Sequence, residues 1–162
     1  MEKLTADFFR QDPAVVARKI LGKKLVRIAG GKELEGIIAM ASAYRGEVAR
    51  KQKGLFYHPG QLYLPVFTGG YRKLAIATES DKEASVITID RIVVAKEIGK
   101  EIKKEILSSG KICPYFQLGS EMDNMPCCSN ELWIEPAPDC LVEELTNVPM
   151  AENCTGRYAL ES

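Results

Sequence analysis

The sequence predicts a mixed α/β fold, a single domain with a curved, mainly antiparallel β-sheet built from hairpins and flanked by helices. Strand-like runs meet across glycine pairs, as hairpins do. A capped helix signal precedes them. A chain of 162 residues, 46% hydrophobic and 27% charged, suits one globular domain over residues 1–162 and hides roughly 70% of its unfolded surface.

In the first element, Asp12 suits the cap, Pro13 the first helical position, Val16 and Ile20 share one face, and Gly22 can end the helix. Lys24–Ala29 and Leu34–Tyr44 then read as strands around Gly30-Gly31. Past a loop holding Arg45, Arg50, Lys51 and Lys53, and past Pro59-Gly60, Gln61–Phe67 and Tyr71–Thr78 flank Thr68-Gly69-Gly70 as a second hairpin. Ser85–Val94 is apolar and β-branched, a buried strand in which Asp90 and Arg91 require partners or an edge. Lys96–Leu107 predicts a helix, because Ile98, Ile102 and Ile106 recur every four residues with Glu97, Glu101 and Lys104 outward. Ser108-Ser109-Gly110 would stop it. Glu131–Glu135 and Leu141–Leu145 predict short strands between proline-containing turns.

Charge is balanced overall but not along the chain. Lys and Arg total 22 against 22 Asp and Glu, yet residues 1–111 hold 21 cations against 13 acids, and residues 112–162 hold only Arg157 against nine acids. A zero sum gives no overall reason to expect a nucleic-acid partner, whereas a basic body with an acidic last third leaves one open. No run of 18 apolar residues is present to cross a membrane. Met1-Glu2-Lys3-Leu4-Thr5 lacks the parts of a signal peptide, so an intracellular location is expected. Five cysteines (Cys113, Cys127, Cys128, Cys140, Cys154) make an odd set, expected to be reduced thiols. Without a Cys-x2-Cys pair, and with His58 the only histidine, no metal site is expected. No cofactor is expected either, since neither glycine pair is followed by the Lys-Ser/Thr of a phosphate loop.

Few residues offer chemistry. His58 sits beside Pro59-Gly60 with no nucleophile near and reads as a surface-turn residue. Asp90 and Glu47 are the isolated acids that merit inspection for acid–base work. Arg50, Lys51 and Lys53 precede a hairpin bearing Tyr63, Phe67 and Tyr71, then Arg72 and Lys73. Cations around aromatics on a protruding hairpin fit phosphate contact plus a wedge into a base stack; the alternative for strand aromatics is core.

The chain resembles the alkyladenine, or 3-methyladenine, DNA glycosylases of the single-domain type. The resemblance runs through Leu4–Phe9, Val16–Arg27, Glu35-Gly36-Ile37-Ile38, Ala43-Tyr44, Gly54-Leu55-Phe56, Pro59-Gly60, Leu62-Tyr63, Gly69, Ala84–Ile89, Ser109–Cys113 and Leu132-Trp133-Ile134, in family order. It implies an enzyme of base-excision DNA repair that flips a damaged base from duplex DNA and hydrolyses its N-glycosidic bond, acting without a membrane and as a monomer. In such enzymes a carboxylate activates water, a hairpin-tip aromatic fills the gap in the stack and pocket aromatics sandwich the base.

By this resemblance the chain is a divergent, shortened member, trimmed between Gly46 and Arg50, where the family carries a pocket histidine, and again after Leu160. Tyr44 matches the pocket tyrosine. Ser42 stands at the catalytic carboxylate position, Pro65 at the second pocket aromatic, Thr68 at the intercalating tyrosine, Ala75 at a base-reading asparagine and Ile89 at an arginine. Glu47, three residues past Tyr44, is the displaced-carboxylate candidate if the shortened loop folds back, and Tyr71 the displaced wedge. A hydroxyl at position 42 cannot take a proton from water at neutral pH without its own base. Three functions therefore stay open: a glycosylase, a non-catalytic DNA-binding protein on the same fold, or a diverged scaffold for a protein or small molecule.

Overall fold

The computed structural model describes residues 2–46, 58–67, 69–80, 83–146 and 154–161. In chain order its elements are helix α1 (Pro13–Lys19), strands β1 (Lys24–Ala29), β2 (Lys32–Arg45), β3 (Leu62–Tyr63), β4 (Leu74–Ser80), β5 (Glu83–Ile98) and β6 (Glu101–Ser108), helix α2 (Ser109–Phe116), and strands β7 (Leu132–Glu135), β8 (Val142–Glu144) and β9 (Cys154–Leu160). All described strand pairings are antiparallel.

Two long strands, β2 and β5, form the spine, and the outer edge of each is shared by two partners. β1 takes β2 as far as Ile37, and β9 takes it from Met40. β4 takes β5 as far as Ile89, and β6 takes it from Arg91. The changeovers coincide with register shifts between β2 and β5 at Ile38/Met40 and Met40/Ala41. An extra residue in a strand bends it and increases its twist, so the sheet curls where its partners change. β3, β7 and β8 extend the sheet outside β4, β1 and β9.

The N-terminal helix forms as its sequence dictates. Asp12 caps it, accepting from the Ala14 amide at 2.9 Å, and Pro13 occupies the first turn. The helix ends at Lys19, short of Gly22. Val16 and Ala17 of α1, Ile20 just after it, and Ile112, Cys113 and Phe116 of α2 pack with Ala41, Ala43, Ile76, Ile87 and Ile89 in one core. That burial locks strand register, because a one-residue slip would turn Ile87 and Ile89 outward.

One expected element is overturned. Lys96–Leu107 is not a helix but the end of β5, a turn at Gly99 with φ +64°, and β6. A repeat of four residues is also a multiple of two, so Ile102 and Ile106 share one face of β6, while Ile98, on β5 opposite Glu101, lies on the other face. All three are exposed, Ile102 at 70%, so they mark no buried helix stripe. Ser108-Ser109-Gly110 does not stop a helix but leads into α2. The second hairpin keeps its glycine tip, yet β3 covers only Leu62–Tyr63, with a single further bridge, Val66 to Arg72. Pro65 has no N–H to donate to a ladder.

Candidate active site

Along β2, β4 and β5 alternate residues leave the core for the opposite face of the sheet. The register lines them into two rows. One runs Tyr63, Ala75, Thr88, Ser42, Arg157 across β3, β4, β5, β2 and β9. The next runs Ala77, Val86, Tyr44, Cys154. Tyr63, Ala75, Ala77 and Val86 form a small apolar cluster of their own, and Tyr44 packs against it. This face therefore carries two tyrosines around a floor of small side chains, with hydroxyls and a guanidinium next to them.

Asp90 joins this face through a bulge. Ala41 pairs with Ile89 and Met40 with Arg91, so Asp90 is the extra residue on β5. Bulges re-aim side chains and gather next to active sites. Here the bulge switches the inward phase of β5: Ile87 and Ile89 face the core before it, Ile92 and Val94 after it. Asp90 itself turns to the second face. Its Oδ2 accepts from the Ser42 hydroxyl at 2.5 Å, and its Oδ1 accepts from the Thr88 hydroxyl at 2.8 Å. Arg157 Nε donates to Ser42 Oγ at 2.9 Å and lies 4.0 Å from Asp90 Oδ2. The guanidinium also donates to the Tyr44 hydroxyl.

Burial pushes the Asp90 carboxyl above its usual range, while hydrogen bonds from Ser42 and Thr88 and the cations Arg157 and Lys73 oppose the shift. Burial, then Cys154 and Asp90, pushes the Tyr44 hydroxyl up, opposed by Arg157. Burial and then Asp123 push Tyr63 up. Both tyrosines are thus neutral at physiological pH. The centre can hold a carboxylate beside a fixed cation, with Ser42 fully buried and 13% of the Asp90 side chain exposed. An ionised carboxylate has about four lone-pair sites, and Ser42 and Thr88 each occupy one. The remainder can accept from a water. Among the described residues no cluster of three metal-ligating side chains is found.

The structure brings together Ser42, Tyr44 and Ala75, three positions singled out from the sequence. Ile89 does not join them: it is fully buried on the core face, and the guanidinium of this site comes from Arg157. Pro65 is not aromatic, but Tyr63, two residues earlier on β3, places a ring on the face. On the second hairpin, Tyr71 stacks on Phe67 with ring centroids 6.0 Å apart and leans on Gly110 of α2. Lys73 lies over the Phe67 ring at 4.4 Å, and Arg72 donates to the Leu64 carbonyl at 2.9 Å. Glu47, Arg50, Lys51, Lys53 and Thr68 lie outside the described residues.

Two residues of the centre carried sequence signals of their own. The apolar alternation of β5 changes phase across Asp90-Arg91, which announces a bulge. Arg157 is the one cation among the last 51 residues.

Fold and face together define a single-domain α/β protein that carries a carboxylate–guanidinium cluster on the second side of a curled sheet. The profile of the methylpurine-DNA glycosylase (MPG) family matches residues 7–149, and the chain belongs to that family. Similar curated proteins, each named "Putative 3-methyladenine DNA glycosylase", come from several bacteria. One from Alkaliphilus oremlandii (strain OhILAs) is 28% identical over 160 residues, covering 82% of this chain and 79% of the relative. One from Legionella pneumophila (strain Lens) is 26% identical over 144 residues, covering 83% and 76%. One from Clostridium botulinum (strain Hall) is 26% identical over 161 residues, covering 82% and 79%. The family makes this a DNA glycosylase by descent and DNA its substrate class. No helix among the described residues is long and apolar enough to cross a membrane.

Proposed function

We propose that this protein excises alkylated purines from duplex DNA by hydrolysing the N-glycosidic bond, as an intracellular monomer in base-excision repair. The observation that supports this best is the cross-strand row from Tyr63 to Arg157. With the neighbouring row through Tyr44, it sets two aromatic rings, a small-residue floor and an acid–base centre on one sheet face. A flipped base needs a stacking surface, which the half-buried Tyr44 supplies, packed against the cluster that holds the buried Tyr63. Hydrolysis needs a group able to take a proton from water, within reach of the base-bearing sugar. The second hairpin, with exposed Phe67 and Tyr71 and with Arg72 and Lys73 behind them, supplies aromatics and cations for a duplex.

The test is base release. Wild-type protein in molar excess is incubated with duplexes holding one hypoxanthine, one ethenoadenine or one N7-methylguanine, and abasic sites are scored. Release from at least one lesion, and none from undamaged duplex, is the expected outcome. Salt-sensitive duplex binding without product would instead establish the non-catalytic DNA-binding function. No binding at low salt would leave the scaffold function.

A further inference from the structure

We infer that Asp90 is the carboxylate that activates the attacking water, and that Arg157 is a positioning residue that holds it ionised and aimed. This rests on the glycosylase function proposed above and assigns the proton acceptor that the function needs. The position that the resemblance reserves for that acceptor holds Ser42, which is committed elsewhere. Its hydroxyl donates to Asp90 and accepts from Arg157.

The chemistry requires one acceptor. The water oxygen forms a bond to the sugar carbon as the carbon–nitrogen bond breaks. The electron pair of that bond goes to the purine, where it cancels the positive charge of an N-alkylated ring, so no acid is needed for the leaving group. The water loses one proton, and Asp90 receives it. Tyr44 is neutral and a poor acceptor, and Arg157 and Lys73 are cations. Asp90 is the carboxylate in contact with Ser42, reaches solvent along one edge, and keeps free lone pairs. The acid has in effect crossed from β2 to the neighbouring strand: the family's carboxylate position and Asp90 point to the same spot, because the β5 bulge turns Asp90 toward Ser42.

Arg157 stands on β9, beyond the family-matched residues 7–149. Through Ser42, Tyr44 and Asp90 it ties three groups of the centre to one guanidinium. Among the described residues, the groups facing Asp90 are Ser42 and Tyr44 of β2, Thr88 of β5, Arg157 of β9 and Lys73 ahead of β4. Of these, the Ser42 and Thr88 hydroxyls and then the two cations favour the ionised form, so losing Arg157 must move Asp90 toward the protonated one.

Single-turnover base release, measured across acidic to neutral pH, tests both assignments. Asp90→Asn should lower the rate by about 10²–10⁴-fold, the usual contribution of a general base, with Asp90→Glu restoring part of it. Binding to the same lesion duplex and thermal unfolding, measured alongside, should show Asp90→Asn folded and bound. Arg157→Gln should raise the midpoint of the acid limb, and Arg157→Lys should return it toward wild type. An active wild type with an equally active Asp90→Asn overturns the Asp90 assignment and leaves the glycosylase function standing. A slower Arg157→Gln with an unmoved acid limb overturns the role of Arg157 and leaves that of Asp90. A wild type inactive on every lesion overturns the function, and both assignments with it.

Discussion

Asp90 is expensive to bury, and the cost has a definite pH signature. Burial raises its folded pKa above the unfolded value of about 3.9. Below that value both states hold the proton and the side chain is neutral in its effect. As pH rises, the unfolded chain releases the proton first, so the folded state loses relative stability until pH passes the folded pKa. Denaturant unfolding of wild type and Asp90→Asn over this window should therefore show a decline in the wild type that the variant lacks; equal declines would remove the buried-carboxylate account. Such a site was half legible in the chain. An acid inside the apolar run Ser85–Val94 demanded a partner, and it has three. Which partner could not be read off, because Arg157 lies 67 positions further on, and long-range pairing leaves no local pattern. Ser42 came from resemblance alone; nothing in its own neighbourhood distinguishes it from an ordinary strand serine.

Among elements, strands were legible wherever turn chemistry and alternation agreed. The β1–β2 hairpin has the expected Gly30-Gly31 tip, and β7 sits within Glu131–Glu135. The β5–β6 hairpin was hidden because a spacing of four suits a helix stripe, whereas the turn at Gly99 puts Ile98 on one face and Ile102 and Ile106 on the other, all three exposed. The centre depends on how closely β2 approaches β5 where the partners change. Gly36 lies there: a Cβ on it would stand 2.4 Å from Ile92 Cγ2, 2.9 Å from Val94 Cγ1 and 3.1 Å from the Val93 carbonyl. Ile and Val side chains are stiff at χ1, and the carbonyl is backbone, so none of the three can yield cheaply. Gly36→Ala should destabilise the fold by about 1–3 kcal/mol, as overpacking does. Urea unfolding with an unchanged midpoint would show that the strands can part there without cost. Because the bulge that aims Asp90 lies further along the same strand pair, the variant should also slow base release more than its loss of folded protein explains.

For the molecule as a whole, part of the uneven charge resolves into an internal match. Four acids of the acidic last third face four cations of the α1–β1 region: Glu144 with Arg18, Asp139 with Lys23, Glu135 with Lys24 and Glu131 with Arg27, at 3.9–4.0 Å. Pairs with a partner this exposed contribute little stability, but they cancel the field of that side. Other cations lie elsewhere in the chain, among them Arg50, Lys51 and Lys53 in sequence and Arg72 and Lys73 on the second hairpin. If these meet the duplex, each phosphate they neutralise releases counterions, and the logarithm of affinity falls with the logarithm of salt at about 0.9 per contact. Binding of a lesion duplex, followed by fluorescence anisotropy over a series of salt concentrations, should give a steep line. Alanine at Arg50, Lys51 and Lys53 together should flatten that slope by up to about 2.7, one contact per residue. Alanine at Lys24, already paired with Glu35 and Glu135, should leave it unchanged. A slope that Lys24→Ala flattens as much as the triple variant would place DNA on the charge-matched side and away from the hairpin. Reduced slope in the triple variant should come without loss of the acid limb in base release, since Asp90, Arg157 and Lys73 are all unchanged in it.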